Sequence, residues 1–477
     1  MTDPKHFRRT KIVATLGPAS CDERVITQLI DAGLDVVRIN SSHGDPAEWS
    51  QWIGRVRRAA EAAERFIGVL VDLQGPRIRV GRLGAPVTLE SGAEVVFAPE
   101  QSAVAGEIPT TYDALAQDVP PGARLLLDDG LLAVDVTRVE GDRVYGVVEH
   151  GGPLRSNKGI NLPGVAVSAP TVTQRDRRML EVALEHGADM IAVSFVRRAE
   201  DVEEVRGLVP AGVRIVAKIE KAEAIEDLTR ILEASDAIMV ARGDLGVELP
   251  YEEVPLAQKR LIARANRRAR PVITATQMLE SMVQSPRPTR AEASDVANAI
   301  LDGTDAVMLS AETAIGEYPV EAVRAMASII EEIERSTVGS GAPRRRRSDA
   351  PASLVRPHST ADAIAFATGI AAEMIDAPLI VCLTSSGFTA RKIAAHRPVT
   401  PITGISADEA TCRWLSLVWG VRPALTEHFP TFEAMLGSAR ERLKARGVVM
   451  EGDRIVVTAG VPFDEPGTTN LLKVVTI

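Results

Sequence analysis

Lys218-Ile219-Glu220 closes an apolar run from Arg214 to Ile219, and Arg242-Gly243-Asp244 closes the next, from Asp236 to Ala241. Neighbouring parallel strands open their C-terminal ends onto one crevice, so buried-type strands that end in charge mark a place for chemistry. Glu220 and Asp244 can there share one hard cation, with the Lys218 ammonium beside it. A lysine, two carboxylates and a metal suit an anionic, phosphorylated substrate.

The elements that must hold these groups follow from the apolar pattern. Short Val/Ile/Leu-rich runs span Lys11 to Leu16, Asp35 to Ile39, Ile67 to Leu73, Met190 to Phe195, Arg214 to Ile219, Asp236 to Ala241, Pro271 to Thr276 and Asp305 to Leu309. Continuous rather than alternating apolar character means strands covered on both faces, with helices between them. Leu180, Ala183 and Leu184 mark one such helical stripe, ended by Gly187. Eight units predict an α/β fold, a (β/α)8 TIM barrel. Residues 1–75 and 169–338 supply about 245 residues for it, near the roughly 250 typical of that architecture.

Residues 76–168 interrupt the barrel after its third strand. They turn to Val/Gly-rich alternation with turn signals, as in Arg124 to Gly130 and Arg143 to Val148, which predicts an inserted small β-barrel lid or sandwich at the mouth. Residues 339–354 have the composition of a linker, and the run Arg344 to Arg347 is expected to be solvated there. Beyond it, Leu379 to Leu383, Pro401 to Ile405, Arg454 to Ala459 and Leu472 to Ile477 alternate with helical stretches. Residues 355–477 therefore read as an open α/β domain. No further domain is expected after Ile477.

Charge and cysteine usage narrow the function class. With 55 Lys and Arg against 64 Asp and Glu, the net charge is −9, which argues against nucleic acid or an anionic membrane as the main partner. Phosphate must then be held by local positive groups. Cys21, Cys382 and Cys412 lie far apart without metal-type spacing, as in a reducing compartment. The start has no apolar signal core and no stretch reaches membrane-spanning length, so a cytoplasmic location is expected.

Every strand end offers a polar group: Thr15, then Arg38, Asn40 and Ser42, Asp72, Ser194, Lys218 and Glu220, Arg242 and Asp244, Thr276, and Ser310 with Glu312. Singly, each has an ordinary structural use as a helix cap or ion-pair partner. Together, around one mouth, they point to a site. At this point the motifs carry a resemblance. Lys11 to Ala19, Arg38 to Gly44, Val216 to Lys221, Met239 to Gly246, Ala275 to Leu279 and Arg287 to Glu292, in that order and with the lid and C-terminal domain in place, resemble the pyruvate kinase family.

The resemblance implies phosphoryl transfer from phosphoenolpyruvate to ADP, giving pyruvate and ATP as the final step of glycolysis. It makes Glu220 and Asp244 the protein ligands of Mg2+ or Mn2+, and Lys218, Arg38 and Thr276 the catalytic groups. Arg38, Gly243, Asp244, Thr276 and Ser194 would contact substrate. On the nucleotide side it implies Asn40, His43, Arg79 and Lys158, although Lys158 is equally readable as a surface lysine. Asp128 either faces the cleft or turns the Asp128-Asp129-Gly130 corner. Asn40, Ser42, Asp72 and the carbonyl of Leu73 match the family's monovalent-cation positions.

In the C-terminal domain, Leu383 to Arg391 runs from strand into helix. The hydroxyls of Thr384, Ser385, Ser386 and Thr389 around Gly387 make it either an anion nest or a capped helix without ligand. In relatives this loop binds the phosphate of an allosteric sugar phosphate, so a phosphorylated effector is expected, as is a homotetramer. Three positions depart from the family. Ser41 stands where Phe is usual and Ala311 where Gly is usual, and local repacking is expected. Asp72-Leu73-Gln74-Gly75-Pro76-Arg77 replaces the common Asp-Thr-Lys-Gly-Pro-Glu, so the fixed charge of Arg77 is expected to remove the need for K+. The alternatives are another phosphoenolpyruvate- or pyruvate-handling metal barrel, such as a lyase, or a non-catalytic sensor that keeps only effector binding.

Overall fold

The computed structural model describes residues 8–42, 46–339, 359–429, 431–461 and 468–477. His43, the run Arg344 to Arg347 and most of the expected linker lie outside the described residues. Eight parallel strands close into a barrel: β1 (Lys11–Thr15), β2 (Val36–Asn40), β3 (Gly68–Asp72), β4 (Met190–Val193), β5 (Arg214–Ile219), β6 (Ala237–Ala241), β7 (Val272–Ala275) and β8 (Ala306–Leu309). All eight fall within the apolar runs or one residue past their ends. Their side chains are almost wholly buried on both faces: Ile12, Ile191, Ala217 and Val240 pack outward against helices, while Val13, Leu70, Met190, Val216 and Met239 fill the interior. Helix Gln174–Glu185 buries Leu180 and Ala183, is capped reciprocally by Thr173 and Asp176, and ends before Gly187 at φ 78°.

The floor of the barrel is built by a repeated device. Asp35, Asp189, Asp236 and Asp305 each precede an even-numbered strand and accept the backbone N–H at the start of the neighbouring odd one, from Ile12, Val69, Ile215 and Val272 at 2.8 to 3.0 Å. Each also holds at least one arginine. Arg413 reaches Asp189 at 2.7 Å and Arg397 reaches Asp305 at 3.0 Å, and both come from the C-terminal region. That region is thereby pinned beneath the barrel, opposite the strand ends that carry the candidate site.

Between β3 and β4 the chain leaves the mouth at Gly75. Its φ of 70° and the 2.9 Å that a Cβ would leave to the Phe195 ring require glycine. Six lid strands form one sheet, and Val87–Leu89 pairs separately with Gly152–Leu154. Arg79 and Val80 bridge to Gly159 and Thr110 at opposite edges of the six-stranded sheet, so it is all but closed around Phe97, Leu125, Val134 and Val144.

The C-terminal sheet has five strands rather than the four expected, in the order β11 (Val421–Leu425), β10 (Ile402–Ser406), β9 (Ile380–Leu383), β12 (Arg454–Ala459), β13 (Leu471–Thr476). β11 is the one missed. It carries Arg422 and Pro423, and a proline without an amide N–H is tolerated only at such an edge. Cys382 and Cys412 are free and buried, and burial pushes both thiols up, that of Cys412 to about 12. They are structural, not reactive.

Candidate active site

The carboxyl ends of β2 to β5 bring one charged network together. The Lys218 ammonium donates to Ser194 Oγ at 2.6 Å and lies 2.8 Å from Glu220 Oε1 and 3.2 Å from Asp72 Oδ1. Arg38 donates through Nε to Asp72 Oδ2 at 2.7 Å and through a terminal nitrogen to Thr15 Oγ1 at 3.0 Å. Ser194 donates in turn to the Leu73 carbonyl at 2.7 Å. Lys218, Asp72, Glu220 and Ser194 are all 5% exposed or less.

Burial sets the electrostatics of this network. It would lower the Lys218 pKa, but Asp72 and Glu220 outweigh it and hold the ammonium above the usual lysine value. Burial also works to raise Asp72, and there Lys218 and Arg38 prevail and keep the carboxyl below the usual range. Glu220 goes the other way: burial and the neighbouring Asp244 hold it up, opposed by Lys218 and by the Phe195 N–H at 2.7 Å. Although Glu220 Oε1 and Asp72 Oδ1 sit close to Lys218, neither has a hydrogen bond of good geometry. A buried carboxylate oxygen left this way, next to a second carboxylate, is what a hard cation would satisfy. Among the described residues no group of three or more His, Cys, Asp or Glu side chains forms a complete metal cage. Glu220 and the neighbouring Asp244 could hold a divalent ion there together with ligands from outside the chain.

The other half of the rim is held by strained backbone. Thr276, the residue after β7, has φ 66° and Gln277 φ 53°, costly for a β-branched residue. The strain aims the Thr276 hydroxyl at the Gly243 N–H, 2.8 Å away, while its own proton goes to the Ala275 carbonyl at 2.7 Å. Arg242 is engaged within the fold. It pairs with Asp295 at 2.6 Å and donates to the Thr276 carbonyl at 2.8 Å, tying the loops after β6 and β7. Glu312 likewise accepts from Leu279 N and Ser310 N at 3.1 and 2.6 Å and staples the loops after β7 and β8. Within Arg287 to Glu292, Glu292 closes a capping box with Thr289 and holds Ser281.

Between barrel and lid runs an open cleft with a volume of about 230 Å³. Arg77, Arg79, Asp128, Lys158 and Asp244 line it, all singled out from the sequence, together with Asn161, Arg197 and Lys221, which were not. Lys221 ends the motif Val216 to Lys221 but carries no role there, and none falls on Asn161 or Arg197, because the lid strand and the loops after β4 and β5 converge only in space. The Arg79 pKa is lowered by burial and by the nearby charges of Arg77 and Arg175. Lys158 pairs with Asp128 at 2.7 Å, and Asp128 and Asp129 also turn the corner, at φ 53° and 55°. Asn40 Oδ1 accepts from Ser42 N at 3.1 Å. The Ser41 side chain is buried with no hydrogen-bond partner for its hydroxyl among the described residues, and Ala311 opens a short helix. The loop Thr384 to Thr389 lies elsewhere, below the floor, where Arg214 at the start of β5 donates to the Ser386 carbonyl at 3.4 Å.

Family models describe the same two parts. Residues 7–323 match the barrel domain of pyruvate kinase and residues 362–475 its alpha/beta domain. The chain belongs to the pyruvate kinase family. Pyruvate kinase 2 of Synechocystis is 47% identical over 98% of this chain and 79% of its own. Pyruvate kinase of Mycobacterium intracellulare is 44% identical over 98% of both chains. The crystal structure of a pyruvate kinase from Cryptosporidium parvum superposes with a TM-score of 0.91 at 34% identity, covering 100% of this chain and 97% of that one. Members of the pyruvate kinase family are phosphotransferases that make pyruvate and ATP from phosphoenolpyruvate and ADP, and this chain is an enzyme of that kind.

Proposed function

We propose that phosphoenolpyruvate binds at the ends of β2 to β7 and ADP in the cleft beneath the lid, and that the phosphoryl group crosses between them beside Lys218. The observation that carries this is the buried set Lys218, Glu220, Asp72 and Arg38. Glu220 and Asp244 would hold Mg2+ or Mn2+, which when bound supplies Lewis-acid charge for the substrate carboxylate and enol oxygen. Arg38, already fixed by Asp72, grips the phosphoryl group with a planar fork. Lys218 places its charge where the P–O bond to the enol oxygen breaks and a bond to a terminal ADP oxygen forms. The enolate then takes a proton on carbon to give pyruvate. Thr276 can serve that proton route once its hydroxyl turns from the Ala275 carbonyl. Gly243 and Ser194 complete the substrate side, and Arg79, Lys158, Asn40 and His43 the nucleotide side.

The monovalent-cation positions support turnover without added K+. Asn40 Oδ1, Asp72 Oδ2 and the Leu73 carbonyl are engaged by donors of this chain, Asp72 Oδ1 lies 3.2 Å from the Lys218 ammonium, and exposed Arg77 forms no ion pair among the described residues while facing the cleft. For regulation, the proposed effector is a phosphorylated small molecule on the loop Thr384, Ser385, Ser386, Gly387 and Thr389. Gly387 turns this loop at φ 77°. The Thr384 hydroxyl accepts from Gly387 N at 3.0 Å and Thr389 pairs with Thr469 at 2.8 Å, which leaves Ser385 and Ser386 to meet a ligand. A cytoplasmic homotetramer is also proposed. No described helix is long and apolar enough to cross a membrane, and helix Thr360–Met374 leaves Phe366, Ile370 and Met374 exposed along one face. By this reading residues 1–75 and 169–338 are the catalytic barrel, 76–168 the lid, 339–354 a linker and 355–477 the regulatory domain.

Metal titration of coupled pyruvate formation tests the assignment. Glu220→Gln and Asp244→Asn should each raise the Mg2+ needed for half-maximal rate by at least about tenfold, since even partners of a metal ligand are worth that much. An unchanged Mg2+ requirement in both would remove the pair from the metal site.

A further inference from the structure

Helix Arg242–Glu248 presents Gly243 and Asp244 in its first turn and ends at Glu248. The lid comes near that far end at two places. At the tip, a Cβ placed on Gly130 would lie 3.8 Å from Val247. At the base stands Asn161, in the short strand Ile160–Asn161 that pairs with Leu126 and Leu127; burial holds the Glu248 carboxyl above the usual range, opposed by Lys221 and, more weakly, by the nearby Asn161 side chain. From the barrel side, Lys221 reaches Glu248 Oε1 at 2.5 Å, with only 11% and 1% of the two side chains exposed. The second oxygen, Glu248 Oε2, is buried and has no donor in hydrogen-bond geometry among the described residues. Leaving a buried acceptor unmade is unfavourable, and the lid amide is the neighbouring donor that a small further closure would bring onto it. Lys221 and Asn161 both line the cleft, while Glu248 does not.

We propose that Glu248 is a positioning residue that latches the lid, holding Asn161 of the lid and Lys221 of the barrel on one buried carboxyl at the end of the helix that presents Asp244. The proposal rests on the phosphoryl-transfer reading in one respect only, that the nucleotide is the ligand enclosed when the lid settles. The latch adds no chemistry. It fixes how far the lid, with Lys158 and Asp128, stands from Asp244, so its loss acts on nucleotide capture before it acts on the chemical step.

Glu248→Gln keeps the shape and removes the charge, and Asn161→Ala removes the lid's donor. Each should raise KM for ADP roughly tenfold, as for one lost hydrogen bond to a charged group, with kcat falling less than about threefold and KM for phosphoenolpyruvate unmoved. Amide hydrogen exchange across residues 122–162 should quicken in both. The double variant should be no worse than the worse single one, and Asn161→Asp placed in Glu248→Gln should restore an amide–carboxylate pair and most of the affinity. Additive losses, or an unchanged KM with unchanged lid exchange, would overturn the latch. Should Glu248→Gln not fold, Asn161→Ala with the exchange measurement decides alone by the same criteria. A wild type without transferase activity would refute the functional reading instead, and lid exchange would still judge the latch.

Discussion

Lys218→Met keeps a stem of similar length and deletes the ammonium. In the free enzyme it strands two buried carboxylate oxygens, Glu220 Oε1 at 2.8 Å and Asp72 Oδ1 at 3.2 Å. Removing one partner of a buried pair costs about 3 to 5 kcal/mol. Asp72 keeps Arg38 and Glu220 keeps the Phe195 N–H, so a loss of about 3 kcal/mol at the low end is expected, partly recovered when Mg2+ binds Glu220. Catalysis should suffer separately. A fixed positive charge aimed at developing negative charge is worth about 10²-fold to 10³-fold in kcat, or about 3 to 4 kcal/mol. Rapid-quench single turnovers at saturating phosphoenolpyruvate, ADP and Mg2+ measure the chemical step, and calorimetry with Mn2+ and phosphoenolpyruvate measures binding. The expected pattern is substrate binding within about threefold of wild type and a chemical step slower by at least about 10²-fold. A rate within tenfold of wild type, or a rate loss matched by an equal loss of phosphoenolpyruvate affinity, would refute the role given to Lys218.

Activity in K+-free and Na+-free buffer, with a tetraalkylammonium salt at constant ionic strength, should change less than about twofold on adding K+, while Arg77→Glu should acquire at least about a tenfold K+ activation. Saturation curves with glucose 6-phosphate, ribose 5-phosphate, fructose 1,6-bisphosphate and AMP should show one effector coupled to phosphoenolpyruvate by roughly 1 to 3 kcal/mol. Ser386→Asp should abolish that shift, and no shift from any of the four, with Ser386→Asp silent, makes the loop a cap only. Lys11, buried against the Val421 carbonyl, is lowered by burial from the ordinary 10.5 to about 8. The unfolded chain therefore binds more protons between those values, and the fold gains stability as pH rises through them. The gain from pH 8 to pH 10 should be about 2 kcal/mol from this group, and denaturant titrations of Lys11→Met should lack it.

The barrel was legible because eight covered strands cannot help reading as apolar runs, and because charge at their ends is conspicuous against them. Lys218, Glu220 and Thr276 sit where the runs stop, so their meeting at one mouth follows from parallel strands alone. What depends on groups far apart in the chain was not legible. The sequence placed Asp35, Asp236 and Asp305 at the starts of runs, but their use as floor clamps needs Arg397 and the first amides of the neighbouring strands. Arg242 and Glu312 looked like rim chemistry and turned out to tie loops, since a guanidinium or carboxylate at a strand end serves either use. The edge strand β11 hid behind Arg422 and Pro423. Two of the hydroxyls expected for the anion nest, those of Thr384 and Thr389, are taken up within the fold.

The most direct measurement follows phosphorus. Phosphoenolpyruvate and ADP, incubated with the purified chain and Mg2+ and watched by 31P NMR, should pass their phosphoryl group into ATP with no free phosphate. Excess EDTA should stop the transfer and Mg2+ should restore it, as the proposed ion site at Glu220 and Asp244 requires. Release of inorganic phosphate without ATP, or transfer that continues unchanged in EDTA, would contradict the account.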